Sequence, residues 1–150
     1  MHMKPRSESS FGLHDHAAAG FSGTRVAGML IVLTHFFALM AHGSGHTHLN
    51  IQPNLWQTAF IALVIFAGPV VAMVLLWTRM QRTALFLLAT TMVGALVFGL
   101  YYHFVAPGAD NALGLAPGHW STVFLATSVL LAAIEALGCA WSMAALRRRT

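Results

Sequence analysis

Long apolar runs alternate with short polar breaks along this chain. Four stretches, residues 26–42, 55–77, 83–105 and 120–146, are almost free of charge, and the segments between them are rich in Gly, Pro, Asn, His and Arg. The last three runs hold 23, 23 and 27 residues. At about 1.5 Å rise per residue, each crosses a hydrocarbon core of roughly 30 Å as a helix. The first run is short for a span but completes an even set. The five residues 78–82 between the second and third runs force an antiparallel helical hairpin. Longer connections join the other runs, and in the second of these Pro107-Gly108 and Pro117-Gly118 mark turns. The pattern predicts an all-α integral membrane protein, with four transmembrane helices in an up-down-up-down antiparallel bundle over residues 25–150. Residues 1–24, rich in Ser, Gly, Ala and His without a clean helical period, read as a flexible cytoplasmic tail.

Composition excludes the main alternative. Only 8% of residues are charged and 57% are hydrophobic, against roughly 25% charged residues in an ordinary soluble domain. A single cysteine, Cys139, rules out an intrachain disulfide and a Cys-rich metal or iron–sulfur site. The sequence contains no Gly-rich nucleotide loop, nucleophile elbow or His-Glu metalloprotease motif, so it gives no sign of soluble-type hydrolytic chemistry.

The formal charge of +4 matters through its distribution. Lys4, Arg6 and Arg25 precede the first run, Arg79 and Arg82 lie between the second and third, and Arg147, Arg148 and Arg149 end the fourth. The two opposite loops contain no Lys or Arg. By the positive-inside rule both termini are cytoplasmic, in a bacterial inner membrane. A nucleic-acid patch would not produce this alternation, so no nucleic-acid partner is expected. Trp56 and Trp77, like Trp120 and Trp141, stand 21 residues apart, about 31 Å along a helix, which matches two interfacial aromatic belts. No apolar leader core precedes residue 25, so the first span is expected to act as an uncleaved anchor.

Candidate chemistry lies in the histidines, nine of them against four acidic residues. Six fall towards the outer face: His35, His42, His46, His48, His103 and His119. His35 and His42, seven apart, share a helix face. Gly43 and Gly45 interrupt the helical pattern, and His46-Thr47-His48 therefore reads as a loop His-x-His pair. Closing the bundle gathers His42, His46, His48, His103, His119 and the loop residue Asp110 into one candidate metal site. Imidazole suits Zn, Cu, Fe and Ni, and copper or zinc is the expected ion. Haem b held by two imidazoles is the alternative cofactor. Counted from the basic ends, His35 is ten residues in and His103 twenty-one, a mismatch of about 16 Å, whereas His42 at seventeen suits His103 better.

Glu135 is an ionisable residue well inside the fourth run. Its helix face reads Ser121, Ser128, Glu135, Ser142, a small and polar stripe expected to face the other helices and to seek interhelical hydrogen bonds. Counting from the basic ends sets Glu135 and His35 at a similar depth, with Thr90, Thr91, Gly94 and the Gly68-Pro69 break nearby. The two form a candidate intramembrane polar pair that either fixes helix register or relays a proton or ion.

These readings combine into a small inner-membrane protein that binds a transition metal, copper favoured, for metal handling, transport or cofactor assembly. Two alternatives stand beside it: a non-catalytic structural or accessory subunit of a larger membrane complex, and a haem b electron carrier. The expected partners are the lipid bilayer and either a second copy of the chain or a larger membrane complex.

Overall fold

The computed structural model describes residues 11–148, with side chains from Gly23 onward. Among the described residues all regular structure is helical. Helix α1 (Phe11–His48) is followed by α2 (Leu55–Leu76), α3 (Gln81–Val105), a short 3-10 turn (Ala112–Gly114) and α4 (His119–Arg147). Four segments, Gly23–His48 and the whole of α2, α3 and α4, are long and apolar enough to cross a membrane, the mark of an integral membrane protein. Their outer faces agree: Phe37, Leu63 and Leu137 are each about 70% exposed, a coat that belongs in lipid and not in water. The expected tail lies partly outside the described residues, which begin at Phe11, where α1 begins as well.

One stripe of each helix is buried. On α1 it runs Gly28, Val32, His35, Ala38, His42 and Gly45; on α4 it runs Ser121, Phe124, Ser128, Leu131, Glu135, Gly138 and Ser142. Steps of three and four residues keep each stripe on one helix face. With lipid outside, close packing holds such helices together more than exclusion of water does, and small residues permit it. A Cβ placed on Gly138 would stand 3.1 Å from Ile31 and 3.3 Å from the Met92 sulfur, so α1, α3 and α4 meet there more closely than most side chains allow without the neighbours shifting. Val32, Ala72, Leu88 and Met92 fill the middle of the core, while Leu76, Ala84 and Leu85 close it where Trp141 packs. The Arg25 guanidinium sits 5.8 Å from the Trp77 ring, joining the start of the first span to the end of α2.

The serines of α4 face inward but do not reach across. Ser121, Ser128 and Ser142 donate to Gly118, Phe124 and Gly138 carbonyls of their own chain, at 2.9, 2.7 and 2.7 Å. The i−3 and i−4 carbonyls are the nearest acceptors in a helix. Thr91 likewise donates to Leu87, and Thr90 is exposed. Of that polar stripe Glu135 alone hydrogen-bonds to another helix.

Two departures from regular α geometry shape the half of the bundle that holds His42 and His103. Residues Ile61–Ala67 of α2 wind as a π-helix in which the Gly68 N–H reaches back to Leu63, widening the helix just before Pro69, which has no N–H to donate. The last turn of α3, Tyr101–Val105, is also π, closed by Ala106 N–H on the Tyr101 carbonyl at 2.7 Å.

Helix α1 passes through Gly43 and Gly45 and ends only after His48, so the expected loop His-x-His pair is helical instead. The stop is a Schellman motif. Asn50 takes a left-handed conformation (φ 54°), its N–H meets the Thr47 carbonyl at 3.3 Å, and the Ile51 N–H meets the His46 carbonyl at 3.0 Å. Ile51 is then buried with Ala112 and Phe124. Gly45 does not break the helix because it lies flat on Phe124, where a Cβ would come to 3.3 Å of the ring.

Candidate metal centre

Because the helix continues, His42 and His46 stand one turn apart on the same face. Their Nε2 atoms are 3.1 Å apart, and His42 Nε2 lies 3.2 Å from His103 Nε2 at the π-wound end of α3. One ligand atom from each of the three histidines falls within 4.8 Å of the others, so this group can hold a metal ion. His42 and His103 are buried and His46 is half-buried. Three donors at about 2.0 Å from a tetrahedral ion stand about 3.3 Å from one another, close to the two spacings seen here.

The second nitrogens set the tautomers. The Thr127 hydroxyl lies 2.8 Å from the Val123 carbonyl of its own helix and 3.1 Å from His42 Nδ1, so with its hydrogen on that carbonyl it accepts from His42. His103 Nδ1 donates to the main-chain oxygen of Asp110 at 3.1 Å. In that arrangement both imidazoles carry their hydrogen on Nδ1 and turn an Nε2 lone pair to the other, 3.2 Å apart. Two facing lone pairs at that range repel, and a cation bound to both removes the repulsion. Partners of this kind on the outer nitrogen orient metal-binding histidines generally.

Phe124 forms the floor. Its ring is fully buried, stacks on His42 at 4.7 Å and meets His46 and His103 edge-on at 4.8 and 5.1 Å. The loop after α3 supplies Asp110. Gly108 turns it with a φ of 144°, open to glycine alone, and the Asn111 side chain ties it back to the Ala106 carbonyl at 3.0 Å. Asp110 Oδ1 comes 3.2 Å from His103 Nδ1 and 3.7 Å from His46 Nε2, but it is buried without an aligned hydrogen-bond donor. Burial disfavours the charged carboxylate. The contact with His103 and the electrostatic attraction of the neighbouring His103, His46 and His42 rings outweigh this and hold the Asp110 carboxyl below its ordinary value.

His48 and His119 lie apart from this group. Both are exposed; His48 stacks on Trp120 at 3.6 Å and bonds the Ser44 carbonyl, and His119 lies edge-on to the same Trp120 ring at 5.1 Å. They decorate the interface where α1 ends and α4 begins. His35 and Glu135 sit deeper, with His35 Nε2 3.1 Å from Glu135 Oε1 and both side chains at most 5% exposed. Phe124 and Thr127 escaped the sequence reading, although the three-and-four spacing of Ser121, Phe124, Ser128 and Leu131 places Phe124 on the polar stripe. No protein-family model, curated protein or solved structure matches this chain.

Proposed function

We propose that this protein is a four-helix inner-membrane metal-binding protein, in which His42, His46 and His103 hold one transition-metal ion near the outer face for metal handling, transport or cofactor assembly. The observation that carries the reading is the convergence of three ring nitrogens, with His42 Nε2 3.2 Å from His103 Nε2 and 3.1 Å from His46 Nε2, while Thr127 and Asp110 contact the far side of the His42 and His103 rings. Three imidazoles leave a fourth position free, and Asp110 supplies negative charge beside it. Among divalent ions that accept imidazole, Cu(II) ranks highest in affinity, above zinc. A haem would need a flat slot between two axial rings, whereas the ring centroids of His42 and His103 are 4.8 Å apart with His46 beside them. The basic residues and the antiparallel contacts between helix ends support an up-down-up-down bundle with both termini cytoplasmic and the loops 49–54 and 106–118 outside.

Elemental analysis of the mildly purified protein tests this. The parent is expected to hold about one copper or zinc per chain and the combined His42→Ala, His46→Ala, His103→Ala variant almost none. Equal metal content in a folded variant would sink the proposal, and a Soret band in the parent would move the reading to haem.

A further inference from the structure

Between the histidine group and the His35–Glu135 pair lies a cavity of about 410 Å³, within the roughly 300–1,000 Å³ range of small-molecule pockets. Its walls are mostly apolar, with Leu39 and Met40 from α1, Ile61 and Phe66 from α2, and Ala95 and Phe98 from α3. The polar groups are not spread evenly. His42, His46, His103 and Asp110 line the outer end, and Glu135 lies at the inner end with its carboxylate engaged by His35.

The cavity is closed towards the inner side. Below Glu135 the helices meet on Val32, Ala72, Leu88 and Met92, all at most 2% exposed, and no residue from that level lines it. An ion path across the bilayer does not continue there. Sideways it is less enclosed: Met40 and Phe66, on the facing edges of α1 and α2, are 48% and 41% exposed, and Ala62 beside them is exposed too. That seam lies within the membrane-crossing segments, so its natural visitor comes from lipid.

We propose that the cavity binds a lipid-soluble molecule with an apolar body and a hydroxyl head of the phenol type, the head at the His46–Asp110 end and the body between α1 and α2. The polar end selects the head. An anionic head meets the Asp110 carboxylate, a purely apolar one leaves His46 Nδ1 and Asp110 Oδ1, both buried without a hydrogen bond, unsatisfied, and a hydroxyl both donates to a carboxylate and offers a lone pair to a donor or an ion. The pocket and its polar end exist without a metal; where the proposed ion is present, the hydroxyl oxygen faces its open position.

The test uses the full chain in lipid nanodiscs, with and without bound copper, and two probes of similar shape, 4-hexylphenol and hexylbenzene. Saturable binding of about one 4-hexylphenol per chain is expected, at least tenfold tighter than hexylbenzene. Ala62→Trp at the seam and Ala132→Phe in the wall are each expected to weaken it at least tenfold while leaving metal content unchanged. Circular dichroism checks folding, and Ala62→Trp, at an exposed site, decides the matter if Ala132→Phe does not fold. Equal affinity for the two probes would mean that only an acyl chain fills the cavity, and would overturn the proposal, as would parent-like binding in folded Ala62→Trp. A chain that binds 4-hexylphenol but never metal leaves the pocket standing and removes the metal reading; one that holds copper but no phenol does the reverse.

Discussion

His35 and Glu135 form a hydrogen-bonded pair 3.1 Å long, buried between α1 and α4. Removing one partner leaves the other polar and unpaired in a low dielectric. His35→Leu and Glu135→Leu should each cost about 1–3 kcal/mol, more if the remaining group is charged. The double variant should lose less than the sum, because the interaction can be lost only once. Thermal unfolding of the four proteins in detergent measures this, and strictly additive losses would contradict a direct bond.

Thr127 accepts from His42 Nδ1 while its own hydrogen is spent on the helix. Thr127→Val keeps the shape and removes the acceptor, so His42 loses its tautomer and its aim. Metal affinity, read by chelator competition, should fall about 10- to 100-fold. Thr127→Ser should stay near the parent. A Val variant as tight as the parent would show that the contact does not orient the ring.

The exposed histidines serve as internal controls. His48→Ala and His119→Ala remove rings that rest on Trp120 and touch none of the three clustered Nε2 atoms. Each should retain the parent's metal content, while His42→Ala, His46→Ala and His103→Ala each lower it by at least tenfold. Equal losses across all five would argue for diffuse binding by interfacial imidazoles.

Asp110 sets the sign of one pH effect. Its folded carboxyl value is depressed, so its stabilising contribution is complete above the unfolded value of about 3.9 and disappears as pH falls through the lower folded value. Through pH 8 to 5 it stays ionised. Chelator competition at stepped pH on the parent and on Asp110→Asn checks this: between pH 8 and 5 the two affinities should differ by a constant factor, and a ratio that changes across that window would show that the carboxyl titrates there.

Orientation has its own measurement. Reporter fusions after Thr150 should read cytoplasmic, and fusions within residues 108–115 should read exoplasmic, as the placement of the basic residues requires. An exoplasmic C-terminus would invert the proposed membrane arrangement.

The four membrane-length helices were legible in the sequence because hydrophobic length is a local, additive property: runs without charge at 55–77, 83–105 and 120–146 leave few other structures open in lipid. The depths of His35 and Glu135 could be counted from Arg25 and Arg147 for the same reason, since rise per residue is constant. Which histidines converge was not local. It depends on α1 surviving two glycines, and Gly45 is tolerated because Phe124, 79 positions away, packs on it. The Asn50 cap was visible in principle, as an Asn followed by a buried apolar residue, but its strength comes from Ile51 meeting Ala112 and Phe124. His103 turns inward on a π-turn that no hydrophobic period announces. His48 and His119 look equivalent to their neighbours in one dimension and face Trp120 in three. Sequence settled how many helices are long and apolar enough to cross a membrane and how far along each one every polar group stands. Only tertiary packing, by choosing the rotation of each helix about its axis, decided which imidazoles share a point in space.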